Sequence, residues 1–253
     1  MILTVDIGNT TIALGLVNKT KVLKVERLDA NFKKRRLAED VQGILRKFQS
    51  HPLKVAIISS VVPKSTILVE RLIKNSLSLK VIVVGRDTAV PIKNLYKNPK
   101  QVGQDRLVGA YAAQQLYGKP VIVIDLGTAI TFDVVSIKGE YLGGIIVPGL
   151  RLSAESLFLK TALLPKIAIK APKAVIGRTT EESMLSGLFY GYGSLCRGLI
   201  ELISQGFKSK PRVVMTGGHT QLMKKFISTK IRIIDENLVH KGLAFLAGSA
   251  KKS

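Results

Sequence analysis

Two stretches of this chain are written to one pattern. Residues 2–17 read ILTVDIGNTTIALGLV and residues 121–135 read VIVIDLGTAITFDVV. Each has a β-rich apolar run, an Asp, an apolar residue, a Gly, small polar residues and a second apolar run, the signature of a strand, a tight turn and a returning strand. Such a turn leaves backbone N–H groups exposed, and its Gly lets an anion approach without a side chain in the path. One copy is explained well enough as a plain hairpin. Two copies half a chain apart, each opening a similar series of elements, point to a duplicated α/β domain with a cleft between the copies. Across it the two turns can grip one phosphate chain from both sides, with Asp6 and Asp125 placed to hold a cation directly or through water.

Periodicity and turn residues predict strands near 2–5, 12–17, 21–28, 54–60 and 80–84 in the first half, with helices at 33–48, 64–77 and 104–117. The second half is expected to carry strands near 121–125, 130–137, 140–146, 212–216 and 231–234. Its helices are expected at 151–163, 179–206, 219–228 and 237–250, with an irregular basic stretch at 166–178. The domains are therefore placed at 1–117 and 118–253. Thr179 and Glu182 form a capping-box pattern at the start of the long helix. Gly187, Gly191, Gly193 and Gly198 interrupt that helix at up to ~1 kcal/mol each relative to Ala. Close helix packing would offset this, at a dimer seam or inside the monomer.

Lys and Arg number 39 against 17 Asp and Glu, a formal net charge of +22 that attracts polyanions. The basic residues are spread from Lys19 to Lys252, with one dense cluster at Lys33, Lys34, Arg35 and Arg36. No interleaved aromatic platform accompanies them, so the charge does not by itself point to nucleic acid. Cys196 is the single cysteine, which excludes an intrachain disulfide and a thiolate metal cage and reads as a small core residue. His51, His219 and His240 match no metal or triad spacing. No run reaches the ~18 apolar residues of a membrane span, and the first strand runs straight into an Asp-Gly turn in place of a signal segment. The expectation is a soluble, cytoplasmic protein without a membrane partner.

Neither G-x-x-x-x-G-K-[ST] nor a strand-following G-x-G-x-x-G occurs, so the hairpins are the available phosphate device. VVMTGGHT (213–220) adds a strand ending in Gly217-Gly218, where a flat ring can lie against bare backbone. In NLYKNPKQVGQDRLVGAYAA (94–113), Gly103 frees the backbone, Asp105 sits in the first turn of a helix, and Arg106 presents a planar cation. Chemistry alone also allows Asp105 to be a helix-start residue paired with Arg106.

The hairpins, the late Gly-Gly segment and the half-repeat resemble the actin-like ATPase superfamily. That resemblance implies an α/β fold of two duplicated actin-like (ribonuclease H-like) domains, each a mixed sheet with helices. More closely, DIGNT, YKNPKQVGQDR, DLGTAITFD, GGIIVPGL, IGRTTEESMLSGL and VVMTGG resemble type III pantothenate kinase in order and spacing, from Asp6 to about Gly218. The family likeness implies transfer of the ATP γ-phosphate, supplied as Mg-ATP, to pantothenate in the first step of coenzyme A synthesis. It assigns Asp6, Ile7, Gly8, Asn9, Thr10, Thr11, Ile12 and Ala13 to ATP, with Thr128 as a second phosphate contact. It assigns Asp125 to a monovalent cation, potassium or ammonium. Tyr96, Gly103, Gln104, Asp105, Arg106 and Thr180 would hold pantothenate, with Asp105 as proton acceptor. A homodimer with a shared substrate site is also implied. Two other readings are a nucleotide-binding regulatory protein and a kinase of a sugar or small carboxylic acid; the 96–106 block disfavours the latter.

Overall fold

The computed structural model describes residues 1–30, 34–227, 231 and 233–249. Lys33, Ser228, Arg232, Ala250 and Lys252, on which the expectations above also draw, lie outside the described residues. In chain order the elements are β1 (Ile2–Ile7), β2 (Thr11–Asn18), β3 (Lys21–Asp29), α1 (Lys34–Phe48), β4 (Val55–Ser60), α2 (Pro63–Leu77), β5 (Val81–Val83), a short β6 (Lys93–Asn94) and α3 (Gln104–Tyr117). There follow β7 (Val121–Leu126), β8 (Ala129–Val135), β9 (Glu140–Pro148), α4 (Leu150–Lys160), α5 (Thr180–Ser186), α6 (Tyr192–Gln205), β10 (Arg212–Thr216), α7 (Thr220–Ile227), β11 (Ile233–Ile234) and α8 (Leu238–Ser249).

The chain divides into two compact units, Met1–Leu116 with Asn237–Ser253, and Tyr117–Glu236. A division at 117/118 puts α8 in the second half, whereas in the fold it belongs to the first unit. Helical periodicity marks an apolar face but does not name the sheet that the face covers.

In the first unit the strand order is β3-β2-β1-β4-β5. β1 to β3 run antiparallel, whereas β4 and β5 continue parallel to β1. Alternation along β1 and β4 gives each face its own core. Leu3, Val5, Ile7, Ala56 and Ile58 pack with Val41, Leu45 and Phe48 of α1 and Val69 and Ile73 of α2. On the other face Val55, Ile57 and Ile82 pack with Val108 of α3 and Leu243 and Leu246 of α8. Thr4 lies on this second face and is satisfied there: its hydroxyl donates to the Gly15 carbonyl at 3.1 Å and lies 2.9 Å from His240 Nδ1 on α8.

The second unit orders its strands β11-β10-β7-β8-β9, with the β7-β8-β9 meander antiparallel and β7, β10 and β11 parallel. Ile122, Ile124, Phe132, Leu185, Phe189, Met215 and Phe226 are among its core residues, and Cys196 is buried with them. Burial pushes the Cys196 thiol up to about 12, in keeping with an inert core position.

The stretch 179–206 is not one α-helix. A π-helical turn at Gly187–Gly191 separates α5 from α6, a break that a 3.6-residue pattern does not reveal because the apolar face continues across it. Gly193 supports the packing reading within the chain, since a Cβ there would strike the Phe226 carbonyl oxygen on α7 and come within 2.7 Å of its carbonyl carbon. Gly187, Gly191 and Gly198 meet nothing comparable.

Candidate active site

The first Asp-Gly turn joins β1 to β2. Gly8 N donates to Thr11 O at 2.9 Å, and Ala30 N donates to Thr10 O at 2.9 Å, which fixes the turn against the end of β3. Asn9 and Thr11 are exposed, while Asp6, Gly8 and Thr10 are half-buried. Ile7, Ile12 and Ala13 turn their side chains into the core, so only their backbone groups are available to a nucleotide.

The end of β4 lies beside this turn. Asp6 pairs in register with Ser59 and Ile7 with Ser60, and Val61 N donates to Ile7 O at 3.1 Å. The start of α3 meets the same strand end. A Cβ on Gly103 would strike the Asp105 carboxylate and sit 3.4 Å from Val61 Cγ1, so glycine leaves room for that carboxylate. The first unit therefore brings Asp6 and Gly103–Arg106 to the C-terminal ends of its parallel strands, the usual ligand edge of such sheets.

Asp105 Oδ1 accepts from Arg106 N at 2.9 Å. Burial raises the Asp105 carboxyl above the ordinary carboxylate range, and the Arg106 N–H and charge oppose this without cancelling it. Gln104 is held against Gly85, whose φ of +85° suits glycine and where a Cβ would come within 2.9 Å of the Gln104 amide carbon. Tyr96 is half-buried, its backbone fixed by donation from Tyr96 N to Asn94 Oδ1 at 3.0 Å.

In the second unit Asp125 pairs across the sheet with Thr131 and Thr216. The turn closes with Gly127 N donating to Ala129 O at 3.1 Å, and Thr128 is exposed at its tip. Two further segments buttress it. Gly149, just before α4, donates its N–H to Thr128 O at 2.9 Å, and a Cβ there would strike the carbonyl oxygens of Gly127 and Thr128. Gly217, at φ +94°, has no room for a Cβ, which would strike the Asp125 carboxylate and lie 2.6 Å from Leu126 N. His219 N completes the buttress by donating to Leu126 O at 3.0 Å. Burial lowers the His219 pKa, and Arg151 nearby adds to this.

Gly217 thus presses its bare backbone against the Asp125 turn, whereas a Cβ on Gly218 would meet open space. The supports from Gly149 and His219 were not foreseen. Gly149 lies in the GGIIVPGL stretch and His219 in VVMTGGHT, but nothing local in either stretch says that it braces the second turn. Gly217→Ala is expected to destabilise the chain by roughly 1–2 kcal/mol through the positive φ and the clash at Leu126, read as a lower Tm.

Thr180 is exposed at the first position of α5. The cap beneath it is a variant of the expected box: Glu182 N donates to Thr179 Oγ1 at 3.2 Å, while Glu182 Oε2 accepts from Arg178 N at 2.8 Å instead of from Thr179. Gly177 lets the preceding loop press on the helix, since a Cβ would overlap the backbone of Glu182 and Ser183.

A family model for type III pantothenate kinase matches residues 2–202. The chain belongs to the type III pantothenate kinases. A type III pantothenate kinase from Persephonella marina is 44% identical over 229 residues, covering 89% of this chain and 90% of the relative. One from Bacillus cytotoxicus is 36% identical over 253 residues, covering 97% and 95%. In fold, the kinase is similar to a ROK family glucokinase from Streptomyces griseus, with a TM-score of 0.53 at 14% identity, covering 99% of this chain and 100% of that one. The fold is α/β, of the actin-like ATPase kind. Among the described residues no group of three or more His, Cys, Asp or Glu is placed to hold a metal ion, and no helix is long and apolar enough to cross a membrane.

Proposed function

We propose that this kinase transfers the γ-phosphate of ATP to the primary hydroxyl of pantothenate, giving 4'-phosphopantothenate in the first step of coenzyme A biosynthesis. The observation that carries the assignment of roles is Asp105, seated over Gly103 at the strand ends that also bear Asp6. Phosphoryl transfer asks mainly for positioning and charge neutralisation, with a carboxylate to orient the attacking hydroxyl and take its proton. Asp105 takes that proton. Tyr96, Gly103, Gln104 and Arg106 hold pantothenate, with Arg106 suited to its carboxylate. The backbone and small side chains of residues 6–13 bind the ATP phosphates, and Thr128 makes a second phosphate contact.

The donors around the second turn suit a hard monovalent cation: a carboxylate at Asp125, with neighbouring backbone carbonyls and no sulfur. Asp125 would hold potassium or ammonium, which supplies positive charge beside the phosphates. Mg²⁺ would enter with ATP, since it keeps much of its water and takes few protein ligands. Thr180, exposed on α5, would reach pantothenate in the partner subunit of a homodimer, and the enzyme would work in the cytoplasm. A regulatory reading is not favoured, because the residues of a working site are all present.

The test is turnover of pantothenate with ATP, in potassium and in sodium, beside a panel of sugars and small carboxylic acids. The expected product is 4'-phosphopantothenate by mass spectrometry, with a faster rate in potassium that Asp125→Ala abolishes. Equal turnover of a sugar, or a rate indifferent to the cation in the parent enzyme, overturns the corresponding assignment.

A further inference from the structure

Between β6 and α3 the chain runs over the surface. Leu95 and residues 97–101 are exposed, and Val102 is the first buried side chain after Val84. A segment with so little apolar burial is held mainly by its hydrogen bonds. It nevertheless carries Tyr96 and leads directly into residues 103–106, two of the places read above as holding pantothenate.

One side chain joins those two places. Asn94 Oδ1 accepts from Tyr96 N at 3.0 Å, and Asn94 Nδ2 donates to Pro99 O at a longer 3.4 Å. The same Pro99 carbonyl accepts from Val102 N at 3.3 Å, and Gln101 N donates to Asn98 O at 3.0 Å. These bonds form the short 3₁₀ turn at Pro99–Gln101, which sets the buried Val102 immediately before Gly103. The head of Asn94 thus bonds the backbone at Tyr96 with one atom and the turn that delivers the start of α3 with the other. An amide suits this place because it offers an acceptor and a donor together, on a side chain short enough to reach its own backbone two residues on.

We infer that Asn94 is a positioning residue for pantothenate: its side-chain amide fixes Tyr96 relative to the turn before Gly103, so that the two segments hold one substrate together. It touches no substrate itself and acts through the backbone of its neighbours. The inference rests on the reading of Tyr96 and residues 103–106 as the pantothenate site.

The experiment compares Asn94→Ala, Asn94→Asp, Tyr96→Ala and the double variant Asn94→Ala/Tyr96→Ala with the parent enzyme. It reads kcat, KM for pantothenate, KM for ATP and the ligand-free Tm. Asn94→Ala should raise KM for pantothenate about tenfold, the scale of one or two lost hydrogen bonds. Its kcat should stay within about twofold, because contacts that serve ground state and transition state alike lower affinity and not turnover. KM for ATP and the ligand-free Tm should be those of the parent, since the segment is exposed and adds little to the core. Asn94→Asp keeps an acceptor for Tyr96 N and loses the donor to Pro99 O, so it should raise KM for pantothenate by less than the alanine variant. The double variant should raise it by less than the product of the two single effects, because Asn94 acts partly through Tyr96.

Three outcomes overturn the inference: a parent-like KM for pantothenate in Asn94→Ala, single effects that simply multiply in the double variant, or a lower ligand-free Tm with equal rises in KM for pantothenate and for ATP. The last would give Asn94 a purely structural part. Tyr96→Ala separates the two levels. If it leaves KM for pantothenate unchanged, the reading of Tyr96 fails and the inference with it; if it raises KM while Asn94→Ala is silent, Tyr96 keeps its place at the substrate and Asn94 has no part in setting it.

Discussion

Asp105→Asn should lower kcat by roughly 10³-fold, the middle of the range for a positioned general base, while the chain stays folded. The asparagine Oδ1 can still accept from Arg106 N, the 2.9 Å bond that fixes this side chain, so the geometry survives and the proton acceptor is lost. KM for pantothenate should change far less than kcat. Stability adds an independent sign. The carboxyl is raised by burial, so the folded state binds its proton more tightly than the unfolded chain does. The stability contributed by Asp105 is greatest below the ordinary carboxylate range and declines as pH rises through the raised value. At neutral pH the charged form is the disfavoured one, and Asp105→Asn should unfold at the same temperature as the parent or higher. The parent's kcat/KM should fall on the acid side with an apparent pKa above that of an ordinary aspartate, because only the ionised group accepts a proton. Full activity in the variant would remove Asp105 from the proposed role.

Acid should unfold this chain through His240. The imidazole is buried on α8 against β1, and burial, with a smaller part from Arg27, lowers its pKa from 6.5 to about 4. The Thr4 hydroxyl lies 3.1 Å from Gly15 O and 2.9 Å from His240 Nδ1 and so bonds the imidazole, while burial favours the neutral ring. Its folded pKa lies below the unfolded value, so the unfolded chain binds the extra proton first. The contribution is fully present above about 6.5 and is lost as pH falls through about 4. At about 1.4 kcal/mol per pH unit the gap is worth about 3 kcal/mol. Chemical denaturation from pH 7 to pH 4 should show that loss, and His240→Gln should flatten the curve over the same window. An unchanged slope in the variant would exclude His240 as the source. Gly15 belongs to the same contact, since a Cβ there would lie 2.6 Å from Thr4 Oγ1 and 2.7 Å from His240 Nδ1.

The two hairpins, the helix at 104–117 and the strand at 212–216 were legible because each rests on local rules. Strand alternation, an Asp-Gly turn and a glycine at a helix end act within a few residues. The family followed from the spacing of short motifs. The π-helical turn at Gly187–Gly191 left no such trace, because the apolar face runs through it unbroken. The assignment of α8 to the first unit was equally silent. Its apolar face is plain in the sequence, but Leu243 and Leu246 find Val108 and Ile57 across more than a hundred residues of chain.

By itself the sequence determined the family of this chain and its two Asp-Gly turns, with an Asp-Arg pair at a helix start. Tertiary structure decided how those groups are held. Packing, which joins residues distant in sequence, set Gly149 and Gly217 against the second turn and seated Asp105 over Gly103. Desolvation then set the proton affinities of Asp105 and His240, and it depends on what surrounds a side chain in space, which no local pattern encodes.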